Sequence, residues 1–566
     1  KTVTYKISNS SINWTYELSV SMPGDFTYSG GTQQYSVTSY KHNSRGDKQP
    51  AQWKAQFSEY GGPWIDTPPT WLTGFTASGA GGETPQSYNA TVSAQIKTSN
   101  DPHAQKLRDN PACGDVIYHH NLANQTDGSS TVQNTANCYV VSAPGYYCFP
   151  LVYGNAIKNG TTNTSAYTSN KTGVSILTSF INHTGNPITS PYIKENSGCV
   201  PAKAELLWQD APGLISNVQY NNSQMQLFVN PENYISFQVN ALTIRQGNAV
   251  IAIKDASDAI LWSWHVWVTD EDINNVIEIT NHQNVKYNFM PVNLGQCDGN
   301  TITYEERSCK VKFIAGDQSK EITIKQLANV IATGSNAPFY QWGRKDPMIG
   351  KVSLTEGKDA LVYNVRDKQI ELENVVMNPN VSGLQYAIQN PEKFIECILH
   401  GSMEDRYNDT WIPYSEELYN LWGVPVQDYK VEAVKTIYDP CPLGYMVPQT
   451  DFAASFYKSG VGSELDNLYY DSSMSYENNM GYCFYYDAER RKKAYYPATS
   501  AKVAKNTFYF LTDGYYWTSC PQKWATPSND GSMAWAECLM FTSSEIELSA
   551  YTGSWDAAQS VRCVRE

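Results

Sequence analysis

The chain has 566 residues, with Lys+Arg 41 against Asp+Glu 55 for a net charge of −14; 17% of it is charged, 13% is aromatic and 40 residues are Tyr. That length suggests about three or four domains, and the aromatic content excludes a disordered chain, which combines many charges with few aromatics. An acidic chain repels phosphate, so no nucleic-acid partner is expected, and a surface with so little charge must be wetted by Ser, Thr, Asn, Gln and Tyr, the profile of an extracellular, mostly β protein.

The chain begins Lys1-Thr2-Val3-Thr4-Tyr5, which fits a leader or lipid anchor removed ahead of it. No stretch approaches the roughly 18–20 apolar residues of a membrane span; the most apolar run, Ala259 to Val268, is interrupted by Ser263 and His265. Cys numbers 12, an even but sparse count, so disulfides would act as local staples in an oxidising compartment.

Residues 1–98 alternate short β-prone runs with Gly/Pro turns, and Trp14, Trp53, Trp64 and Trp71 recur where inward-facing strand positions would fall. Pro68-Pro69-Thr70-Trp71-Leu72, a Gly-rich turn over Thr76–Gly82 and Ala90–Ala94 read as strand, turn, strand. Residues 99–272 stay β-rich. Period-two alternation predicts strands at Gln224–Val229 and Ile235–Asn240, and a hairpin joins Ala249–Ile253 to Ile260–Val268 through Asp255-Ala256-Ser257-Asp258. Trp262, Trp264, Val266 and Val268 share one face of that last strand and Ser263, His265 and Trp267 the other, so much apolar surface that a facing sheet is needed. The polar tract Asn155 to Asn170 reads as a long surface loop.

Helix signals enter from 273. Asn390-Pro391-Glu392 ahead of Phe394, Ile395, Ile398 and Leu399 predicts an N-capped helix ending at Gly401, with shorter helices over Ser415–Trp422 and Thr450–Tyr457. Strands return at Phe508–Phe510, Tyr515–Thr518, Ala534–Phe541, Glu545–Ala550 and Ser560–Val564. The organisation expected is 1–98, 99–272 and 273–566, the last an α+β module.

Three resemblances refine this. Trp71-Leu72, Ser78-Gly79-Ala80-Gly81 and the strand after them resemble the BACON-type immunoglobulin-like modules of Bacteroidetes surface proteins. Asp439-Pro440-Cys441-Pro442-Leu443-Gly444-Tyr445, Gly514-Tyr515-Tyr516-Trp517-Thr518-Ser519 and Ser560-Val561-Arg562-Cys563-Val564-Arg565 resemble the Fibrobacter succinogenes major paralogous domain, grouped with C-type-lectin-like folds. Asn288–Gly295 and Phe339–Arg344 resemble the same domain's opening strand and first helix, which leaves a long insertion over about 350–430. With Asn137–Val141 and Phe149–Asn155, the whole is similar to large adhesins of gut Bacteroidetes, some of them fimbrial tip subunits.

The resemblance implies immunoglobulin-like β-sandwiches followed by a lectin-like α+β domain. It implies a non-enzymatic, secreted or outer-surface recognition protein, binding a host or dietary glycan or a surface protein through C-terminal loops. As a tip subunit it would also take a pilin strand by β-strand addition. A lectin-like domain brings its two chain ends together, which implies a Cys441–Cys563 bridge. Cys520–Cys538 and Cys297–Cys309 are further candidates, with buried thiols the alternative. Trp524, Tyr551 and Trp555 are the candidate ligand-stacking aromatics. A carbohydrate-processing enzyme or its accessory binding component is the alternative class, yet no carboxylate pair can be nominated.

No cofactor or metal is expected. The chain lacks GxSxG, HExxH, P-loop and EF-hand patterns, and the calcium-lectin tripeptides are missing, with Ser528-Asn529-Asp530 their nearest relic. His103, His119 and His120 have no acidic or Cys partner at ligand spacing, and His265 reads as a satisfied strand residue. Arg45-Gly46-Asp47 is taken as chance and Arg490-Arg491-Lys492-Lys493 as a solvated turn.

Overall fold

A computed structural model of the chain describes residues 13–95, 101–171, 176–226, 228, 230–280, 284–298, 300–333, 337–376, 382–396, 420–424, 433–449, 452, 456, 468–486, 491–509, 511–522, 535–548, 553–554 and 557–566. The chain divides into two compact units, Lys1–Thr98 with Thr301–Ile331 and Ser99–Asn300 with Ala332–Glu566. α-Helix among the described residues is confined to Pro102–Asp109, Gly383–Gln389 and Tyr476–Asn479, and the rest is strand and turn.

The first unit is two facing sheets. One orders Trp14–Ser21, Gly31–Asn43, Gly82–Val92 and Gly74–Phe75, and the other Gln318–Gln326, Arg307–Ala315, Trp53–Glu59 and Ser78–Gly79. The hairpin Arg307–Gln326 belongs here because alternate residues Cys309, Val311, Phe313 and Ala315 are buried, and its first strand pairs antiparallel with Trp53–Glu59. Tyr35, Phe75, Trp53 and Phe313 meet between the sheets, Trp53 to Phe313 at 5.3 Å and Tyr35 to Phe75 at 4.7 Å. Trp53 and Trp71 are buried as expected, whereas Trp14 and Trp64 are half-buried beneath Lys41 and Lys312, and Trp71-Leu72 lie in a turn, not a strand. In the Gly-rich segment a side chain at Gly81 would meet the Ala51 and Ser39 carbonyls at 2.1 and 2.4 Å, and its φ of +80° lies in the left-handed region that favours glycine.

The second unit is organised around the strand Ile260–Val268, the fifth of six in the order Gln369–Ile370, Val362–Tyr363, Lys203–Gln209, Gly247–Lys254, Ile260–Val268, Cys138–Val141. A four-stranded sheet faces it, Phe149 packing on Trp264 at 5.0 Å and on Tyr139 at 5.1 Å. The opposite face is covered too. Ser263 donates to Asp346 Oδ1 at 2.6 Å, His265 pairs with Tyr340 at 3.2 Å, and Trp267 Nε1 donates to the Gln296 carbonyl at 3.1 Å. All nine residues of the strand are therefore buried. One core runs from Leu107 to Cys563 across residue 272, and a second, from Ile277 to Val564, draws only on residues after it.

Near the C-terminus, Val564–Arg565 pairs with both Lys286–Phe289 and Tyr445–Met446, and Cys441 is bridged to Cys563 beside them. The other two proposed bridges are corrected. Cys297 and Cys309 are buried in different units and neither is in a disulfide. No bridge joins Cys520 to Cys538, because a register shift sets Cys538 opposite Trp517 and pairs Pro521, the residue after Cys520, with Ala536.

Two local expectations also fail. Residues 222–226 turn instead of extending, since Asn222 Oδ1 accepts from the Gln224 amide at 3.0 Å and the Phe228 amide returns to Met225 O at 3.1 Å. Asn390-Pro391 ends the helix Gly383–Gln389 rather than starting one. Asn390 bonds back to Tyr386 O at 2.9 Å, Pro391 stops the helix, and Phe394–Glu396 pairs as a strand with Asn374–Val376. Most of 415–422 and 450–457 lies outside the described residues.

Candidate functional site: clefts walled by the polar tract

The tract 155–171 is not a plain loop. Asn159 and Gly160, at φ of +52° and +72°, close a two-residue hairpin between Ile157–Lys158 and Thr161–Thr162, the turn that Asn-Gly favours. A 3₁₀ turn, Thr164–Ala166, follows. Buried Ala156, Ala166 and Tyr167 anchor the tract, while Asn159 to Thr162 stay exposed.

Amides fix it to the disulfide-bearing segment. Asn155 Nδ2 donates to the Thr436 carbonyl, the Ile437 amide donates to Ala166 O at 2.9 Å, and Asn137 Nδ2 donates to Ile437 O and Asp439 O at 2.6 and 2.8 Å. Asn137 Oδ1 in turn accepts from Trp262 Nε1 at 3.2 Å, tying the arrangement to the central strand.

Below it Lys435 and Asp439 form a buried ion pair at 3.2 Å. Lys435 also donates to the Cys441, Pro442 and Tyr445 carbonyls, and Asp439 accepts from the Cys441 and Val447 amides at 2.8 and 2.9 Å. Burial raises the Asp439 carboxyl above its ordinary range although Lys435 and the two amides oppose it. These six bonds hold the Asp439-Pro440-Cys441-Pro442 turn in place.

Two clefts flank the tract. One, of about 370 Å³, is lined by Thr164, Ser165, Thr168, Ser169, Asn170 and Lys171 of the tract, by Asn420, Gly423, Val434 and Thr436, and by Phe180. Lys171 is the one charged residue among the described residues that line it. Among these lining residues, Asn420 exchanges two hydrogen bonds with Leu177 at 3.0 and 2.8 Å, and a side chain at Gly423 would sit 1.9 Å from the Val434 carbonyl. The hydroxyls and amide of Thr164, Ser165, Ser169 and Asn170 can donate to and accept from sugar hydroxyls in several directions. The other cleft, of about 330 Å³, is more charged, with Lys158 paired to Glu566 and Arg565 beside Asn134, Asn159 and Asn163.

Trp524, Tyr551 and Trp555 lie outside the described residues, as does Ser528-Asn529-Asp530. The Tyr-rich stretch is core in part: Tyr482, Tyr496, Tyr515 and Tyr516 are buried, Tyr469, Tyr470, Tyr485 and Tyr495 are half-buried, and Arg562 stacks on Tyr496 at 3.9 Å. Arg491 and Lys492 are exposed in the connection between the paired strands Gly481–Tyr485 and Lys493–Pro497.

His265 is satisfied, Nε2 to Asn248 at 2.8 Å and Nδ1 to Tyr340 at 3.2 Å, and burial lowers its pKa to about 3. Arg45-Gly46-Asp47 sits exposed at the tip between Gly31–Asn43 and Lys48–Pro50, where Asn43 Nδ2 donates to the Asp47 carboxylate at 2.8 Å and closes the turn. His119 and His120 gather no ligand set among the described residues, whereas His103 lies near Glu271 and Asp298.

The tract's composition announced hydrogen-bonding capacity. Its partners 420–436 could not be found from spacing, because they arrive from about 250 residues away through the fold. No helix among the described residues is long and apolar enough to cross a membrane. Compared with protein-family models, curated proteins and solved structures, the chain matches none.

Proposed function

We propose that this chain is a non-enzymatic recognition protein of a bacterial outer surface that binds a glycan. The observation that carries the reading is the cleft of about 370 Å³ lined by the hydroxyls and amide of Thr164 to Asn170 together with the apolar Phe180 and Val434. Sugar hydroxyls need many short, divergent hydrogen bonds at modest individual strength, and such a lining supplies them. Lys171 at the rim adds a site for an acidic sugar's carboxylate. The bridge favours an oxidising compartment.

The finer reading, a Bacteroidetes adhesin or fimbrial tip with immunoglobulin-like and lectin-like parts, rests on the motifs quoted above. It is supported by the side-by-side placing of Lys286–Phe289 and Val564–Arg565. In that reading the loops bearing Trp524, Tyr551 and Trp555 add stacking surfaces.

The test is a glycan array probed with the whole chain. Thr164→Ala with Thr168→Ala weakens the best ligand about tenfold, from roughly 0.5–1.5 kcal/mol per lost hydrogen bond; Trp524→Ala with Trp555→Ala reports the second surface. Saturable binding untouched by either pair, or release of reducing sugar from the ligand, overturns the reading, the latter in favour of a carbohydrate-processing enzyme.

A further inference from the structure

The second unit holds a group of ionisable side chains that shares no residue with either cleft. Asp101 caps the helix Pro102–Asp109, its carboxylate accepting from the Ala104 amide at 3.0 Å, and Pro102 occupies the first turn. This places His103 against two loops of the same unit. His103 Nδ1 lies 3.0 Å from each carboxylate oxygen of Asp270. Asp270 is held by Gln246 Nε2 at 2.7 Å and Lys106 Nζ at 3.2 Å, its side chain only 4% exposed. The other ring nitrogen, Nε2, lies 3.4 Å from Asp298 Oδ2. Asp298 is set by Gln246, which donates to that oxygen at 3.2 Å and accepts from the Asp298 amide at 2.6 Å. One ligand atom each from His103, Glu271 and Asp298 all fall within 4.8 Å of one another.

We propose that His103 Nε2, Glu271 and Asp298 form a binding site for a divalent transition-metal cation, zinc being the best fit, with Asp270 as the carboxylate that orients the histidine. Three observations carry it. A histidine whose Nδ1 faces a buried carboxylate while Nε2 faces further acidic oxygens has the orientation proteins impose on metal-bound imidazole. Two ligands on a tetrahedral zinc with bonds of about 2.0–2.1 Å stand about 3.4 Å apart, and His103 Nε2 and Asp298 Oδ2 are separated by 3.4 Å.

Charge is the third. The carboxylates of Asp270, Glu271 and Asp298 gather around the His103 ring, and Lys106 pairs with Asp270. A dication would offset the excess negative charge that these three carboxylates bring together. His103 and Asp298 are 32% and 35% exposed, so an ion enters from solvent and keeps a coordination position for water or a ligand group.

The experiment uses the whole chain, stripped with chelator and titrated calorimetrically with zinc, with manganese and calcium as comparators. One zinc per chain is expected, with an affinity at least about tenfold weaker in E271Q and D298N and about 10–100-fold weaker in D270N. X-ray absorption of the loaded protein should show one imidazole nitrogen and carboxylate oxygens around the metal. Failure of the unaltered chain to take up zinc saturably overturns the proposal whatever the variants do. So does undiminished affinity in E271Q and D298N, or a sulfur shell around the metal, which would assign it to thiols. Because these readouts involve no glycan, their failure leaves the recognition reading untouched.

Discussion

The strand Arg307–Ala315 in the first unit and the strand Ile260–Val268 in the second have the same length and opposite demands. In the first, Cys309, Val311, Phe313 and Ala315 are buried while Lys310 is exposed and Lys312 half-buried, as for a sheet with one wet face. In the second every residue is buried, and its polar members Ser263 and His265 are satisfied by Asp346, Lys345, Asn248 and Tyr340. A one-faced strand tolerates change on its outer side. A two-faced strand depends on polar partners brought by distant segments, and removing any of them leaves a buried group unpaired.

That contrast can be broken most severely at the covers of the second unit. Replacing Cys441 and Cys563 with Ser removes a bridge with a sequence separation of 122; the loss should approach about 4–5 kcal/mol in the chain-entropy picture, read by denaturant melts with and without reductant. Lys435→Met leaves Asp439 charged and buried, costing about 3–5 kcal/mol, with hydrogen-exchange protection lost first around 436–447. An unchanged melt would mean the pair is not what pins that turn.

A gentler probe is pH. His265 is held to a pKa of about 3, below its unfolded value, so between about pH 6.5 and 3 the unfolded state binds the extra proton and stability falls as pH falls. At pH 4.5 this amounts to about 2–3 kcal/mol, and it should vanish from the pH profile of His265→Asn. The smallest effect is expected on the outer side of the one-faced strand. Lys312 lies 5.5 Å from the Trp64 ring centre, and Lys312→Ala should cost about 0.5–1 kcal/mol.

The same contrast explains what the sequence revealed. The hairpin Gly247–Lys254 with Ile260–Val268 was legible because both strands are long, β-branched and joined by an Asp-rich turn. Its burial on both faces was not, since the cover comes from residues 293–297 and 340–346. Cys309, Val311 and Phe313 alternate visibly, yet alternation does not say that the pairing strand is Trp53–Glu59, about 250 residues earlier. Asn390-Pro391 fits a helix start and a helix stop equally well until the preceding Gly383–Gln389 is seen. At the sites, the polar tract was legible as surface but not as a wall, and His103 had no acidic partner at ligand spacing in the sequence because Asp270 and Asp298 arrive by folding.

The return of the chain to its first unit sets a timetable for synthesis. Trp53–Glu59 leaves the ribosome early, but Arg307–Ala315, its neighbour in the sheet, follows only after residues 99–300 have been made. At ~5–20 residues per second that interval is on the order of 10–40 s. During it the aromatic face of Trp53 and Phe57 waits without its lid, so a fragment ending at residue 98 should aggregate, while the same fragment supplied with residues 301–331 as a separate peptide should be rescued.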